Sequence, residues 1–381
     1  MNATPPLQSM PRSVRQWVCW AILAVGGAAN PSLAFATDSQ DRTDASASAG
    51  KHSHGAGSAA FDGAELYAQY CALCHGPDRE GYAADDAPSL RSPELLGAAS
   101  GSFLWSAISY GRPGTAMAGF SDVQGGPLSH DAQHALLDWL VDQSGVKPKP
   151  VKERPVVGDP ERGATVYASH CAECHGARGE GGTGTALANP VFLATASDAF
   201  LRHTVERGRS GTPMPAFGER LEATDIDAVV AFVRTRAVGW EASTPTLAPP
   251  PDPARAILNP TAAPARLDER DDRFVSADSV AAALARGERM VLLDARPTSD
   301  WQRSHIPGAL PLPFYDGVDN LTPHLPRDGT PIVAYCACPH AASGRVVDAL
   351  LAAGISSARI LDEGVLVWAG RGYPLELGAS P

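Results

Sequence analysis

Apolar positions along the chain follow two different rhythms. Between residues 61 and 240 they recur three and four apart, in "GAELYAQYC" (63–71) and "RGATVYASHC" (162–171), then in "SHDAQHALLDWLVDQSG" (129–145) and "EATDIDAVVAFVRTRA" (222–237). That spacing lays one apolar stripe along a helix and predicts two successive segments, each opened and closed by a helix, with almost nothing that reads as strand. Beyond residue 272 the rhythm changes. Short apolar runs, "MVLLDA" (290–295), "ALPLP" (309–313), "PIVAYC" (331–336) and "ARILD" (358–362), alternate with helical stretches such as "SVAAALARGE" (279–288) and "SGRVVDALLAAG" (343–354). Strand and helix in alternation predict a doubly wound parallel sheet. The expected fold is multidomain: two all-α segments, then an α/β segment.

Proline marks the divisions. "VKPKPVKERPVV" (146–157) separates the two helical segments, and "STPTLAPPPDPARAILNPTAAPAR" (243–266) precedes the α/β one. Both read as semi-rigid spacers. The resulting domains are 61–145, 158–240 and 272–379, joined by 146–157 and 241–271. Residues 37–60, rich in Ser, Ala and Gly and carrying His52 and His54, read as a flexible tether. Ahead of them, Arg12 and Arg15 lead into the apolar run "WVCWAILAVGGAA" (17–29), then "NPSLAFA" (30–36) and a polar stretch. This is the pattern of a secretory signal cleaved after Ala34-Phe35-Ala36, with the mature chain starting at Thr37 in the periplasm. The alternative is an uncleaved anchor in the inner membrane facing the periplasm, and only then would a membrane be a partner.

Composition narrows the partners. The 42 acidic residues outnumber 31 Lys and Arg, a formal charge of −11, so nucleic acid is repelled and basic protein partners are favoured. With Cys19 in the signal segment, six cysteines remain in three close pairs, 71/74, 171/174 and 336/338. Spacing so local suggests three chemical sites rather than a disulfide framework.

Two of these sites are copies. "YCALCHGPDREG" begins at Tyr70 and "HCAECHGARGEG" at His170, so Cys71, Cys74 and His75 recur as Cys171, Cys174 and His175. Cys-x-x-Cys-His is the attachment pattern of a c-type haem: two thiols add to the vinyl groups and the adjacent histidine reaches the iron. A zinc site shared by the two pairs would have to bridge a hundred residues and a spacer. A redox dithiol needs a βαβ setting that these helical segments lack. Beyond the signal segment the methionines are Met117, Met214 and Met290. The first two stand in matching contexts, "YGRPGTAMAGF" and "RGRSGTPMPAFG", 42 and 39 residues after the respective histidines, and read as distal iron ligands. Met290, at the start of a strand, reads as core. His130, His134, His170 and His203 read as surface residues.

Both segments thereby resemble the class I cytochrome c family, in which a methionine on a Gly/Pro-rich loop before the last helix ligates the haem distally. The resemblance implies two covalently bound haem c groups of low spin with His/Met ligation, and electron transfer with no bond-making at iron. It implies as partner a redox cytochrome or a terminal oxidase.

The third region resembles the rhodanese family. Asp294 and Arg296 match its Asp-x-Arg strand end, "SHIPGA" (304–309) its His-Ile-Pro-Gly-Ala turn, and Trp368 its closing aromatic. In that family a cysteine ending the central strand accepts sulfane sulfur as a persulfide and passes it to a thiol or cyanide. The position corresponds to Cys336. Backbone N–H groups and a helix N-terminus around it would favour the thiolate. The loop Cys336-Ala337-Cys338-Pro339-His340-Ala341-Ala342-Ser343 is one residue longer than the family's and lacks its arginine, Arg345 falling a turn too late. Cys338 is placed to resolve a persulfide on Cys336 or pair with it, and His340 to favour ionisation of either thiol. Two readings follow: a site that takes a small sulfur compound and couples its oxidation to the haems, or a binding or docking module without turnover.

Overall fold

Each all-α segment starts at an aspartate whose side chain accepts from the first helical turn: Asp62 from the Ala64 N–H at 2.8 Å, Asp159 from the Glu161 N–H at 2.9 Å. The structure, a computed structural model, describes residues 61–149, 151–152, 154–249, 251–337 and 340–378. The expected signal, Cys19, the 37–60 tether with His52 and His54, and Cys338 lie outside the described residues.

The two caps open identical successions. In the first segment α1 (Gly63–Tyr70), α2 (Ala72–His75), α3 (Pro93–Ala98), α4 (Gly101–Tyr110) and α5 (His130–Asp142) follow one another. In the second, α6 (Pro160–His170), α7 (Ala172–His175), α8 (Pro190–Thr195), α9 (Asp198–Arg207) and α10 (Ala223–Arg234) repeat the order. The closing helix crosses the opening one over a glycine. A Cβ on Gly63 would meet Trp139 and, at 2.6 Å, the Ala135 carbonyl; one on Gly163 would run into the Ala228 carbonyl and come within 2.9 Å of Phe232 Cβ. Gly163→Val should therefore push α6 and α10 apart, costing about 1–3 kcal/mol. A thermal scan of the haem-loaded protein should show the lowered Tm, whereas Gly101→Ala, at a site with nothing within 4 Å, should leave it in place.

The two helical units share one core. Phe103 of α4 packs its ring on Phe192 of α8 (centroids 5.8 Å apart) and Phe200 of α9 (4.9 Å). The contact runs crosswise: Asn189, capping α8, donates to the Pro113 carbonyl at 2.9 Å, and Glu94 of α3 accepts from the Ser210 N–H at 3.0 Å. Val146, Val151 and Val156 of the connecting stretch lie against the same core.

The third segment forms a six-stranded sheet in the order β1-β2-β6-β5-β3-β4, with β1 Glu269–Arg270, β2 Phe274–Val275, β3 Val291–Asp294, β4 Leu310–Pro311, β5 Ile332–Tyr335 and β6 Ala358–Leu361. Only β1 and β2 pair antiparallel. Helices α11 (Ala277–Ala285), α12 (Thr298–Arg303), α13 (Ala341–Ala352) and α14 (Gly364–Gly370) complete it. Every residue of β3 and β5 is buried, which is why their sequence reads as a continuous apolar run. Their faces still alternate: Val291, Leu293, Ile332, Ala334 and Cys336 join Val346, Val347 and Leu350 of α13, while Leu292, Val333 and Tyr335 join Met290, Val280 and Trp368. The hydrophobic pattern did not show β1 and β2, because two residues carry no periodicity. The sheet begins inside the proline-rich 241–271 stretch, where Ala256 is buried and the N–H groups of Leu258 and Ala265 bond to the Met290 and Arg289 carbonyls, each at 2.9 Å. No helix among the described residues is long and apolar enough to cross a membrane.

Candidate haem and sulfur sites

At each Cys-x-x-Cys-His the backbone makes one helical turn. The Cys74 and His75 N–H groups bond to the Cys71 carbonyl at 3.2 and 3.0 Å, and those of Cys174 and His175 repeat this on Cys171 at the same distances. Residues three and four apart on such a turn share a face, so two sulfurs and an imidazole are presented together. His75 Nδ1 lies 2.8 Å from the Pro88 carbonyl, and His175 Nδ1 lies 2.8 Å from the Thr185 carbonyl. A carbonyl can only accept, so Nδ1 carries the proton and Nε2 keeps its lone pair. Burial pushes both imidazoles towards the neutral form, against the favourable bond to the carbonyl. The turns are braced alike: the Tyr67 hydroxyl donates to the Gly76 carbonyl at 2.6 Å, the Tyr167 hydroxyl to that of Gly176 at 2.8 Å. Burial also pushes the Cys71 and Cys74 thiols up to about 12, with Asp85 adding to the effect at Cys74.

The two methionine loops match bond for bond. Arg112 N–H donates to the Met117 carbonyl at 2.7 Å, Thr115 Oγ1 donates to the Arg112 carbonyl at 2.7 Å and accepts from the Met117 N–H at 3.2 Å. Arg209, Thr212 and Met214 repeat this at 3.0, 2.8 and 3.2 Å. Gly111 and Gly208 precede these loops at φ 64° and 65°, where backbone of the methionine segment leaves no room for a Cβ. Met117 and Met214 are both half-buried, and Met117 packs with Cys71, Tyr67 and Leu104 around one cluster.

The donor set fits a haem. Each turn offers two thiols and an imidazole with Nε2 available, and each partner loop holds a methionine in the same backbone geometry. Arg112 and Arg209, on those loops, are buried enough that their pKa falls to about 10. Arg209 Nη1 is buried with no hydrogen-bond partner, a cation that would suit a haem carboxylate, while Nη2 donates to Thr204 Oγ1 at 3.3 Å and the guanidinium lies 5.3 Å from the centre of the Phe200 ring.

The third site lies at the carboxyl ends of β3, β5 and β6. Cys336 follows β5 and is 2% exposed; its Sγ lies 3.3 Å from Ser343 Oγ in the first turn of α13. His340 caps α13 in a left-handed conformation (φ 85°) and turns its ring to Asp362, Nε2 to Oδ1 2.8 Å, over Phe274 at 4.6 Å. Neither Ser343 nor Asp362 was legible as a site residue in the sequence. Arg345 is exposed, its guanidinium 6.0 Å from the centre of the Phe314 ring at the same end of the sheet. Beside it Asp294 and Arg296 clamp the turn after β3: Arg296 Nε and Nη2 donate to the carboxylate at 2.9 and 2.6 Å, and Nη2 also to the Ser304 carbonyl at 2.6 Å. Burial alone would lower the Arg296 pKa, but Asp294 holds it well above its ordinary value. Asp294→Ala removes the main partner of that buried cation, leaving Asp300 at 3.9 Å and the Ser304 carbonyl, and should cost about 3 kcal/mol, seen as a lowered thermal transition of the sheet segment.

The family described as Cytochrome C oxidase, cbb3-type, subunit III matches residues 58–140 and 158–233, and the rhodanese-like domain family matches 276–371. The chain carries two cytochrome c domains and a rhodanese-like domain. Such cytochrome domains transfer electrons and imply covalently bound haem c. The Cbb3-type cytochrome c oxidase subunit FixP of Azorhizobium caulinodans is 29% identical over 180 residues, covering 46% of this chain and 58% of that protein. The subunit CcoP of an Azospirillum species is 28% identical over 195 residues, covering 46% and 62%. The chain thus spans less than two thirds of the length of these relatives. The solution structure of a rhodanese-like domain from Anabaena has 26% identity and a TM-score of 0.26, over 29% of this chain and 89% of that one.

The first cytochrome c domain lies against the rhodanese-like domain. Leu73, between its two attachment cysteines, packs on the cluster that contains Cys336. Tyr70 meets Tyr315 edge-on, ring centres 4.9 Å apart, and the Ser299 hydroxyl donates to the Gly119 carbonyl. The Cys336 sulfur is one of the groups that raise the Cys74 thiol, after burial and Asp85. In the second domain Cys171 packs on the core shared by the two cytochrome domains, and Cys174 is exposed.

Proposed function

We propose that the protein is a periplasmic dihaem electron carrier whose rhodanese-like domain takes up sulfane sulfur at Cys336 and couples its oxidation to the haems. Cys71, Cys74, Cys171 and Cys174 are the thioether positions, His75 and His175 the proximal ligands, Met117 and Met214 the distal ones. When bound, the two haems supply one-electron acceptors with potentials raised by methionine ligation. The chain's own residues prepare this: the Pro88 and Thr185 carbonyls fix the imidazole tautomers, and the threonine-braced loops hold the methionines. At the sulfur site Cys336 is the nucleophile, with Ser343 within hydrogen-bonding reach of its sulfur. His340, directed to Asp362, positions the start of α13.

The observation that carries this reading is the packing of the first attachment turn, through Leu73, on the layer that holds Cys336. A sulfurtransferase needs no electron path unless redox chemistry is coupled to it. The electron acceptor is a cytochrome or a terminal oxidase, a reading supported by the relatives named as oxidase subunits. The deciding experiment mixes the oxidised protein anaerobically with sulfide, thiosulfate or an organic persulfide and follows the haem α-band. Rapid reduction by one of them supports coupling; no reduction by any rejects it. The second reading, a docking module without turnover, is favoured by the near-complete burial of Cys336 and by the loop's missing arginine. Sulfur transfer from the full chain to cyanide, absent in Cys336→Ser, would count against it.

A further inference from the structure

Parallel strands deliver their carboxyl ends to one edge of the sheet, and in the rhodanese-like domain Cys336, the Asp294–Arg296 turn and Phe314 lie at that edge. The first cytochrome c domain meets this edge. Leu73 reaches the Cys336 cluster from the attachment turn itself, and α2 abuts α13. An aromatic series crosses the boundary: Phe314 to Tyr315 at 5.0 Å, Tyr315 to Tyr70 at 4.9 Å, Tyr70 to Phe120 at 6.3 Å. Phe314 belongs to the core cluster of Cys336, and Phe120 to that of Met117 and Cys71. Tyr315 is largely buried, and burial, with Asp316 adding to it, keeps its hydroxyl protonated. Among the described residues the corresponding turn of the second domain packs elsewhere, with Cys171 on the core shared by the two cytochrome c domains.

We propose that electrons from the sulfur site enter first at the Cys71/Cys74 haem, across a fixed contact of Leu73 and Tyr70 with Tyr315 and α13, and reach the Cys171/Cys174 haem only afterwards. This rests on the coupling reading above and adds its direction. The chemistry balances on two haems. Cys336 thiolate and hydrosulfide form one S–S bond, giving the Cys336 persulfide anion, a proton and two electrons, and two ferric haems take one electron each. The S–H bond breaks, the cysteine sulfur and the hydrosulfide sulfur are oxidised together, and no further oxidant is needed for a single turnover. Tyr315, Tyr70 and Leu73 are positioning residues here: they hold the two domains in register.

The test is a redox titration of the haem-loaded protein, with and without sulfane sulfur loaded on Cys336 from polysulfide and verified by mass spectrometry. A persulfide places its charge at the domain boundary and should lower the midpoint potential of the adjacent haem. The shift should appear in a chain that retains only the first haem (Cys171→Ala with Cys174→Ala) and be missing from one that retains only the second (Cys71→Ala with Cys74→Ala). In the two-haem protein Tyr315→Ala should lose it and Tyr315→Phe, which keeps the ring contact, should restore it. A shift confined to the second haem, an equal shift in both, or none in a chain whose Cys336 demonstrably carries sulfur overturns the proposal. Failure of Cys336 to take up sulfur at all overturns the coupling reading instead, and the direction with it.

Discussion

Replacing Cys336 by serine should abolish reduction of the haems by sulfide, with a loss on the order of 10³-fold or more, the scale seen when a covalent nucleophile is removed. The expectation follows from the local structure. β5 delivers the sulfur to the start of α13, with Ser343 Oγ at 3.3 Å. Serine keeps the volume and the hydrogen bond but neither ionises near neutrality nor bonds a second sulfur. Stopped-flow mixing with sulfide, read at the α-band, measures the loss, and dithionite reports that the haems themselves remain reducible. Reduction by sulfide at the parent rate would show that the electrons never passed through the rhodanese-like domain. Ser343→Ala should slow the reaction less, since it removes one hydrogen bond to the sulfur and no reacting atom.

What was legible in the sequence was what is local along the chain. A Cys-x-x-Cys-His turn is contained in five residues, so Cys71, Cys74 and His75 stand out as candidates, and duplication at Cys171, Cys174 and His175 repeats the signal. The methionines stood out by scarcity and by matching loops. The parallel sheet was visible because buried strands are continuous apolar runs, and Asp294 and Arg296 stood out only by their resemblance to the rhodanese Asp-x-Arg strand end, which says nothing of the ion pair they form. The rest is assembled from distant parts. Asp362 meets His340 across 22 residues, Tyr315 meets Tyr70 across 245, and Ser299 meets Gly119 across 180. No periodicity or spacing reports such pairs. The same reason hides the shared core of the cytochrome c domains: Phe103 and Phe200 each look like ordinary core residues of their own helix, and only the fold shows that they pack on each other. The proline-rich stretch before the sheet misleads in the opposite sense, because the composition of a spacer does not reveal backbone bonds such as those from Leu258 and Ala265 to the edge of β3.

On the proposed His/Met ligation, exchanging the methionines for histidine should divide the two haems. Methionine ligation raises the potential of a haem relative to a second histidine, so Met117→His and Met214→His should each lower one of two midpoint potentials, by roughly 0.1–0.3 V within the ~0.8 V that axial ligands span. A titration that falls in two waves, one displaced and one unmoved, is the expected result in both variants, and one wave displaced in neither would remove the methionines from the iron. The variants should not behave alike in other respects. Both side chains are half-buried, but Met117 packs on the core cluster of Tyr67, Cys71 and Leu104, a setting that resists the shape of an imidazole, whereas the residues on either side of Met214 are exposed. Met117→His should therefore also lower the thermal stability of its domain, while Met214→His changes potential with little change in Tm. The difference has a physical source in the placement of the domains. On the proposed reading, the first attachment turn is closed in by its own core and by the rhodanese-like domain. The second turn packs through Cys171 on the core shared by the two cytochrome c domains.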